Sequence, residues 1–158
     1  AILSASNPHS FLGINSQGRV AVVRTKGNSH GHIVLRGGDG RPNYDTVSIA
    51  MVEQALTKAK LPNNIVVDCS HANSSKKPEL QPLVMADIVN QIRLGNNSLL
   101  GVMIESNIEA GNQSIPADLK QLKYGCSVTD GCIGWETTEK TIRDAAVLLR
   151  DVLPERLG

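Results

Sequence analysis

The sequence predicts an α/β fold, with a parallel sheet covered by helices and a β-hairpin ahead of it. Three observations carry this. Short apolar runs without polar alternation are each followed by a segment whose apolar residues fall at three- and four-residue spacing, as an amphipathic helix requires. That strand-then-helix pattern occurs three times in succession, and continuously apolar strands belong to parallel sheets covered on their faces. Two further apolar runs, split by a turn containing glycine, precede the repeats.

In chain order, AILSASNPHS reads as the end of a helix already under way, and Ala1 is not an initiator Met, so the chain is expected to begin mid-domain. Residues 10–25 (SFLGINSQGRVAVVRT) form the hairpin, because Gly18 in Asn15-Ser16-Gln17-Gly18 supplies the positive φ of a short turn. Gly31 to Leu35 is the first strand of the repeats and ends in Arg36-Gly37-Gly38. Its helix, Asp45 to Lys60, places Ile49, Val52, Leu56 and Ala59 on one face. Asn64 to Asp68 (NIVVD) is the second strand, ending in Cys69-Ser70-His71, and its helix carries Val84, Ile88 and Ile92 before the stop at Gly95. Ser98 to Ile104 (SLLGVMI) is the third strand and ends at Glu105. After a long loop, Thr137 or Thr138 is the expected cap of a helix carrying Ile142, Ala145, Leu149 and Val152. Periodicity leaves two architectures open, a (β/α) barrel and a doubly wound open sheet. A closed eightfold barrel takes about 250 residues, so three units make only part of one.

A chain of 158 residues with 41% hydrophobic content is long enough for one core. The net charge of +1 comes from 16 basic and 15 acidic side chains spread along the sequence. It offers no basic stripe for a nucleic acid and no polybasic cluster for a lipid surface, which leaves small molecules as the expected partners. No apolar run approaches the roughly 20 residues that span a bilayer, and the N-terminus lacks the pattern of a signal peptide. A soluble, cytoplasmic protein is expected. Cys69, Cys126 and Cys132 are odd in number and show no CxxC spacing, so they read as reduced thiols.

In both candidate architectures the βα loops converge at the carboxyl ends of the strands, and ligands bind there. Those ends hold Arg36, Asp68 with His71, and Glu105. Each residue alone has a plainer role: a surface ion pair for Arg36, a packed histidine for His71, a solvated acid or helix-cap partner for Glu105. Their shared location favours a site. The loop from Ser106 to Glu136 is far longer than the roughly 2 to 6 residues usual for a βα connection, and such loops are functional or disordered. It contributes Asp130. One imidazole and two carboxylates, His71, Glu105 and Asp130, make a ligand set suited to Mn, Fe, Co or Zn, with ordinary hydrogen-bonding roles as the alternative.

Several strings in order and spacing resemble one family. They are Leu35-Arg36-Gly37-Gly38 with Pro42-Asn43-Tyr44, Asp68 to Lys76 (DCSHANSSK), Gly101 to Ser106 (GVMIES) with Glu109 to Gln113 (EAGNQ), and Ser127 to Asp130 (SVTD) with Cys132 to Glu136 (CIGWE). From about Pro8 onward the chain resembles the C-terminal portion of class I 3-deoxy-D-arabino-heptulosonate 7-phosphate (DAHP) synthases. The resemblance implies a (β/α)8 TIM barrel of which residues 31–158 supply units six to eight, preceded by a regulatory hairpin at 10–25, the whole chain being a single partial domain. It implies the condensation of phosphoenolpyruvate with erythrose 4-phosphate, as a homo-oligomer.

The same resemblance gives His71, Glu105 and Asp130 the role of ligands to a divalent metal ion. It also implies substrate contacts for Arg36, His71 and Asp130, with Arg36 on the phosphoenolpyruvate phosphate, and a catalytic role for His71. The family's fourth ligand, a cysteine on its first barrel strand, has no counterpart here, and none of the three cysteines aligns with it. The Lys-Pro-Arg-Thr loop for erythrose 4-phosphate is also without a counterpart. Phe11, Gly13 and Val23 match the family's effector pocket for an aromatic amino acid, and Gly13 resembles the tyrosine-sensitive rather than the phenylalanine-sensitive type. Residue type alone gives Phe11 and Val23 simple hairpin packing. The alternative to an enzyme segment is a truncated, noncatalytic effector-binding or assembly module.

Overall fold

The computed structural model describes residues 1–156. A short helix, α1 (Ile2–Ser6), leads into the antiparallel strands β1 (Ser10–Ile14) and β2 (Val20–Arg24), with Phe11 opposite Val23 and Gly13 opposite Ala21. The turn closes because the Asn15 side-chain oxygen accepts from the backbone N–H of Gln17 and Arg19, both at 3.0 Å, while Gly18 takes φ 75°.

The second sheet is parallel and holds β3 (Ile33–Leu35), β4 (Ile65–Asp68) and β5 (Leu99–Met103) in that order. Ile33 and Leu35 register with Ile65 and Val67, and Val67 with Val102, so these side chains share one face. Ile65 and Val67 are fully enclosed there, at 0% exposure. The opposite face leaves Val34 and Met103 exposed, as is Leu100 beside the irregularity after Leu99. The covered face packs against α2 (Thr46–Lys58) through Ile49 and Leu56, α3 (Gln81–Arg93) through Val84, Ile88, Val89 and Ile92, and α4 (Trp135–Leu149) through Ala145 and Leu149. Each fully buried aliphatic contributes roughly 1.5 to 3 kcal/mol. Asp45 caps α2, its carboxylate accepting from the N–H of Val47 and Ser48 at 3.1 Å. Gly95 at φ 100° ends the chain direction of α3.

Helix α4 (Trp135–Leu149) differs from the sequence reading in three details. Helix α4 begins at Trp135 with Gly134 at its N-cap, because neither Thr137 nor Thr138 caps it. The Thr138 hydroxyl instead donates to the Gly134 carbonyl at 3.1 Å and meets the Ser106 hydroxyl at 2.6 Å. Ile142 lies on the exposed side of α4, and Thr138 and Thr141 occupy the buried stripe, their hydroxyls satisfied within the structure. Val152 falls past the end of α4, in the short helix α5 (Val152–Glu155). No helix among the described residues is long and apolar enough to cross a membrane.

Candidate functional site

Past β4, the chain turns sharply through Cys69 to Lys76. His71, Ser75 and Lys76 take φ of 52°, 53° and 58°, a left-handed conformation that costs a non-glycine residue roughly 1 to 2 kcal/mol. The buried Asn73 side chain holds the turn by donating to the carbonyls of Leu35 at 3.1 Å and Asp68 at 2.8 Å. The Lys76 N–H donates to the His71 carbonyl at 2.7 Å. This geometry aims the His71 ring at Glu105, with Nε2 at 3.6 Å from Oε1.

Glu105 sits two residues beyond β5 and is held through its backbone. Its N–H donates to the Gln81 side-chain oxygen at 2.8 Å, and its carbonyl accepts from Gln81 Nε2 at 3.0 Å and from the Ile133 N–H at 3.0 Å. Burial raises the pKa of the Glu105 carboxyl above its ordinary value. The neighbouring carboxylates of Asp130 and Asp68 add to the rise, and His71 opposes it.

The long loop is not structureless. A reciprocal pair of backbone hydrogen bonds joins Gly111 and Cys132, at 2.8 and 3.1 Å. The Gln113 side chain bonds Lys123 and the Cys126 carbonyl, and Asn112 donates to the Thr129 carbonyl at 2.9 Å. These ties carry Asp130 back over the sheet. His71, Glu105 and Asp130 thereby each offer one ligand atom, all within 4.8 Å of one another, around a cleft also walled by Ser70, Ser74 and Lys76. One imidazole nitrogen and two carboxylate oxygens at that separation fit a divalent ion of the first transition row.

Arg36 is placed elsewhere. It follows β3 directly, is exposed, and is not part of the cleft wall, although its carbonyl accepts from the Ala72 N–H at 3.2 Å in the turn that bears His71. Gly37 beside it serves close packing of the two loops, since a Cβ there would lie 2.6 Å from the Ala72 Cβ. Phe11, Gly13 and Val23 share the less exposed face of the hairpin. A Cβ on Gly13 would lie 2.9 Å from Val23 Cγ2. All three cysteines are free, and burial pushes the Cys69 thiol up to about 12. Gln81 was not singled out by sequence, since a glutamine opening a helix is ordinarily a solvated residue. Asp68 was legible only as a strand-end acid.

A model of the DAHP synthetase I family matches residues 1–143. The chain is 48% identical over 144 residues to the Tyr-sensitive phospho-2-dehydro-3-deoxyheptonate aldolase of Salmonella typhimurium, covering 91% of this chain and 40% of that protein. It is 47% identical to the Tyr-sensitive enzyme of Escherichia coli over 158 residues, 100% of this chain and 44% of the relative. The solved structure of phospho-2-dehydro-3-deoxyheptonate aldolase from Francisella tularensis superposes with a TM-score of 0.85 at 42% identity, over 94% of this chain and 43% of that one. The chain thus spans less than half the length of these relatives, and its match extends over nearly all of its own residues. With the motifs around His71, Glu105 and Asp130 lying inside the matched stretch, the chain belongs to the DAHP synthetase I family.

Proposed function

We propose that this chain supplies the metal-binding C-terminal part of a DAHP synthase site, in a cytoplasmic, homo-oligomeric enzyme of the shikimate pathway that condenses phosphoenolpyruvate with erythrose 4-phosphate. The convergence of His71, Glu105 and Asp130 at the carboxyl ends of β4 and β5 carries the reading. Three parallel strands in sequential order, with their helices on one face, suit consecutive wall strands of a TIM barrel, and we assign them to units six to eight.

His71 through Nε2, and Glu105 and Asp130 through a carboxylate oxygen each, would hold the divalent ion. When bound, that ion supplies Lewis acidity towards the aldehyde oxygen of erythrose 4-phosphate. The methylene carbon of phosphoenolpyruvate attacks the aldehyde carbon, water adds at the enol-ether carbon, and phosphate departs by carbon–oxygen cleavage. Arg36 grips the phosphoenolpyruvate phosphate with its planar fork of donors, a geometry that a lysine point charge does not reproduce. His71 and Asp130 also contact the substrates, and His71 takes part in catalysis.

The test is DAHP formation by the intact enzyme after chelation and after return of one divalent ion, with Arg36→Lys in parallel. The arginine substitution is expected to raise the phosphoenolpyruvate requirement much more than that for erythrose 4-phosphate. Equal effects on both substrates refute the phosphate role. Effector binding without any DAHP formation would leave the noncatalytic module in its place.

Phe11, Gly13 and Val23 form part of a pocket for an aromatic amino acid, with tyrosine as the feedback effector. Relatives named Tyr-sensitive and Phe-sensitive match at 48% and 46%, so the choice rests on Gly13 rather than on overall identity. A serine there crowds Val23, whose Cγ2 already lies 2.9 Å from the Cβ position. Gly13→Ser is expected to shift inhibition from tyrosine towards phenylalanine. An unchanged preference refutes the role of Gly13.

A further inference from the structure

We propose that Asp68 positions His71 for metal binding by fixing which of its ring nitrogens carries the proton. The inference rests on the metal-centre reading above. His71 Nδ1 lies 2.8 Å from Asp68 Oδ2 and 2.7 Å from Ser70 Oγ. The Ser70 hydroxyl lies 2.7 Å from the other oxygen of the same carboxylate, Oδ1, which also accepts from the Ser70 N–H at 2.8 Å.

For the neutral ring that metal binding requires, counting protons settles the arrangement. Ser70 Oγ has one hydrogen to donate, and a carboxylate has none. Were that hydrogen given to Nδ1, an unprotonated ring nitrogen would face Asp68 Oδ2 lone pair to lone pair. With the proton on Nδ1, every group is satisfied: Nδ1–H donates to Oδ2 and to Oγ, and the hydroxyl donates to Oδ1. Nε2 is then left with a free lone pair, on the side of the ring that faces Glu105 at 3.6 Å. A carboxylate behind a ligating imidazole holds the ring's orientation and strengthens it as a donor.

Asp68 is well built for the task. It is the last residue of β4 and only 4% exposed, and its carbonyl is held by Asn73. The following residue's N–H donates to the Met103 carbonyl at 2.9 Å, so the backbone that carries the carboxylate cannot swing away. In Asp68→Asn an amide NH₂ can donate to Nδ1, which moves the proton to Nε2 and blocks the donor atom.

The experiment uses the intact enzyme freed of metal. Cobalt(II) is titrated in, and its visible absorption gives the affinity for the wild type, Asp68→Asn, Ser70→Ala and His71→Ala. Asp68→Asn is expected to bind cobalt roughly 10- to 100-fold more weakly. Nitrogen-15 spectra of the metal-free protein, with the His71 signals identified by their loss in His71→Ala, are expected to show the proton on Nδ1 in the wild type and in Ser70→Ala. In Asp68→Asn they are expected to show it on Nε2. If His71→Ala leaves cobalt binding intact, the metal-centre reading itself falls. If His71→Ala abolishes binding while Asp68→Asn matches the wild type, the metal centre stands and Asp68 has no positioning role. Should Asp68→Asn fail to fold, the wild type and Ser70→Ala still decide the matter: a wild-type proton on Nε2, or its move to Nε2 in Ser70→Ala, overturns the proposal.

Discussion

Replacing Gln81 with leucine should loosen Glu105 without touching it. Gln81 is 1% exposed at the start of α3, and both polar atoms of its side chain are spent on the Glu105 backbone, at 2.8 and 3.0 Å. Leucine has a similar volume, so the cavity term is small and the lost hydrogen bonds dominate. The two ends of the clamp are unequal. The Glu105 carbonyl keeps the Ile133 N–H at 3.0 Å, whereas the Glu105 N–H loses its only partner among the described residues. One orphaned, part-buried donor costs about 1 to 3 kcal/mol, and the retained carbonyl bond adds nothing to the loss. Chemical unfolding followed by far-UV circular dichroism should therefore show Gln81→Leu destabilised by about 1 to 3 kcal/mol, with Gln81→Ala lower still because it adds a cavity. Cobalt affinity should fall in parallel, because the carboxylate rides on the freed backbone. A Gln81→Leu protein within about 0.5 kcal/mol of the wild type would refute the clamp, since ordinary surface changes fall inside that range.

Further outcomes follow from two groups whose pKa values burial raises, Glu105 and Cys69. Because burial raises the Glu105 carboxyl, metal affinity should decline with acidification at a pH above the ordinary carboxylate range of about 4.3, read from cobalt titrations at stepped pH. In the metal-free protein the sign is opposite for stability: a raised carboxyl favours the folded state at low pH, and that contribution is lost as pH rises through its folded value. Identical unfolding curves for Glu105→Gln and wild type across this window would refute it. Cys69, enclosed at 0% exposure and pushed up to about 12, should resist alkylation in the folded protein at pH 8, while the part-exposed Cys126 is labelled first. Mass mapping of labelled peptides checks the order, and early labelling of Cys69 would contradict its burial.

The strands and helices were readable because their signals are local. The continuous apolar runs of β4 and β5 and the spacing of Ile49 with Leu56, or Val84 with Ile88 and Ile92, each lie within a single element. Helix α4 was harder for the same reason. Its buried stripe includes Thr138 and Thr141, whose hydroxyls bond within the turn or across to Ser106, and a hydrophobic pattern search passes over threonine in favour of Ile142. The cap at Gly134 gave no signal, since a glycine there offers no side chain to recognise.

The clustered trio of His71, Glu105 and Asp130 was legible in part. Strand-end logic finds His71 and Glu105, because topology alone sends both to the same edge of the sheet. Asp130 is different, lying in a loop whose path no periodicity describes. Its position depends on amide side chains, Asn112 on the Thr129 carbonyl and Gln113 spanning Lys123 and Cys126, which act as backbone would in a strand. Those contacts join residues 10 to 17 positions apart, beyond any local pattern. A loop fixed this way can be as well ordered as a strand and still look unstructured in sequence. The same holds for the supports of the other two side chains: Gln81 reaches Glu105 from 24 residues away, and Asp68 meets His71 only because the chain between them bends into a left-handed turn. Side chains that touch a metal are few and chemically conspicuous, whereas those that hold them are ordinary residues whose role comes from where the fold puts them.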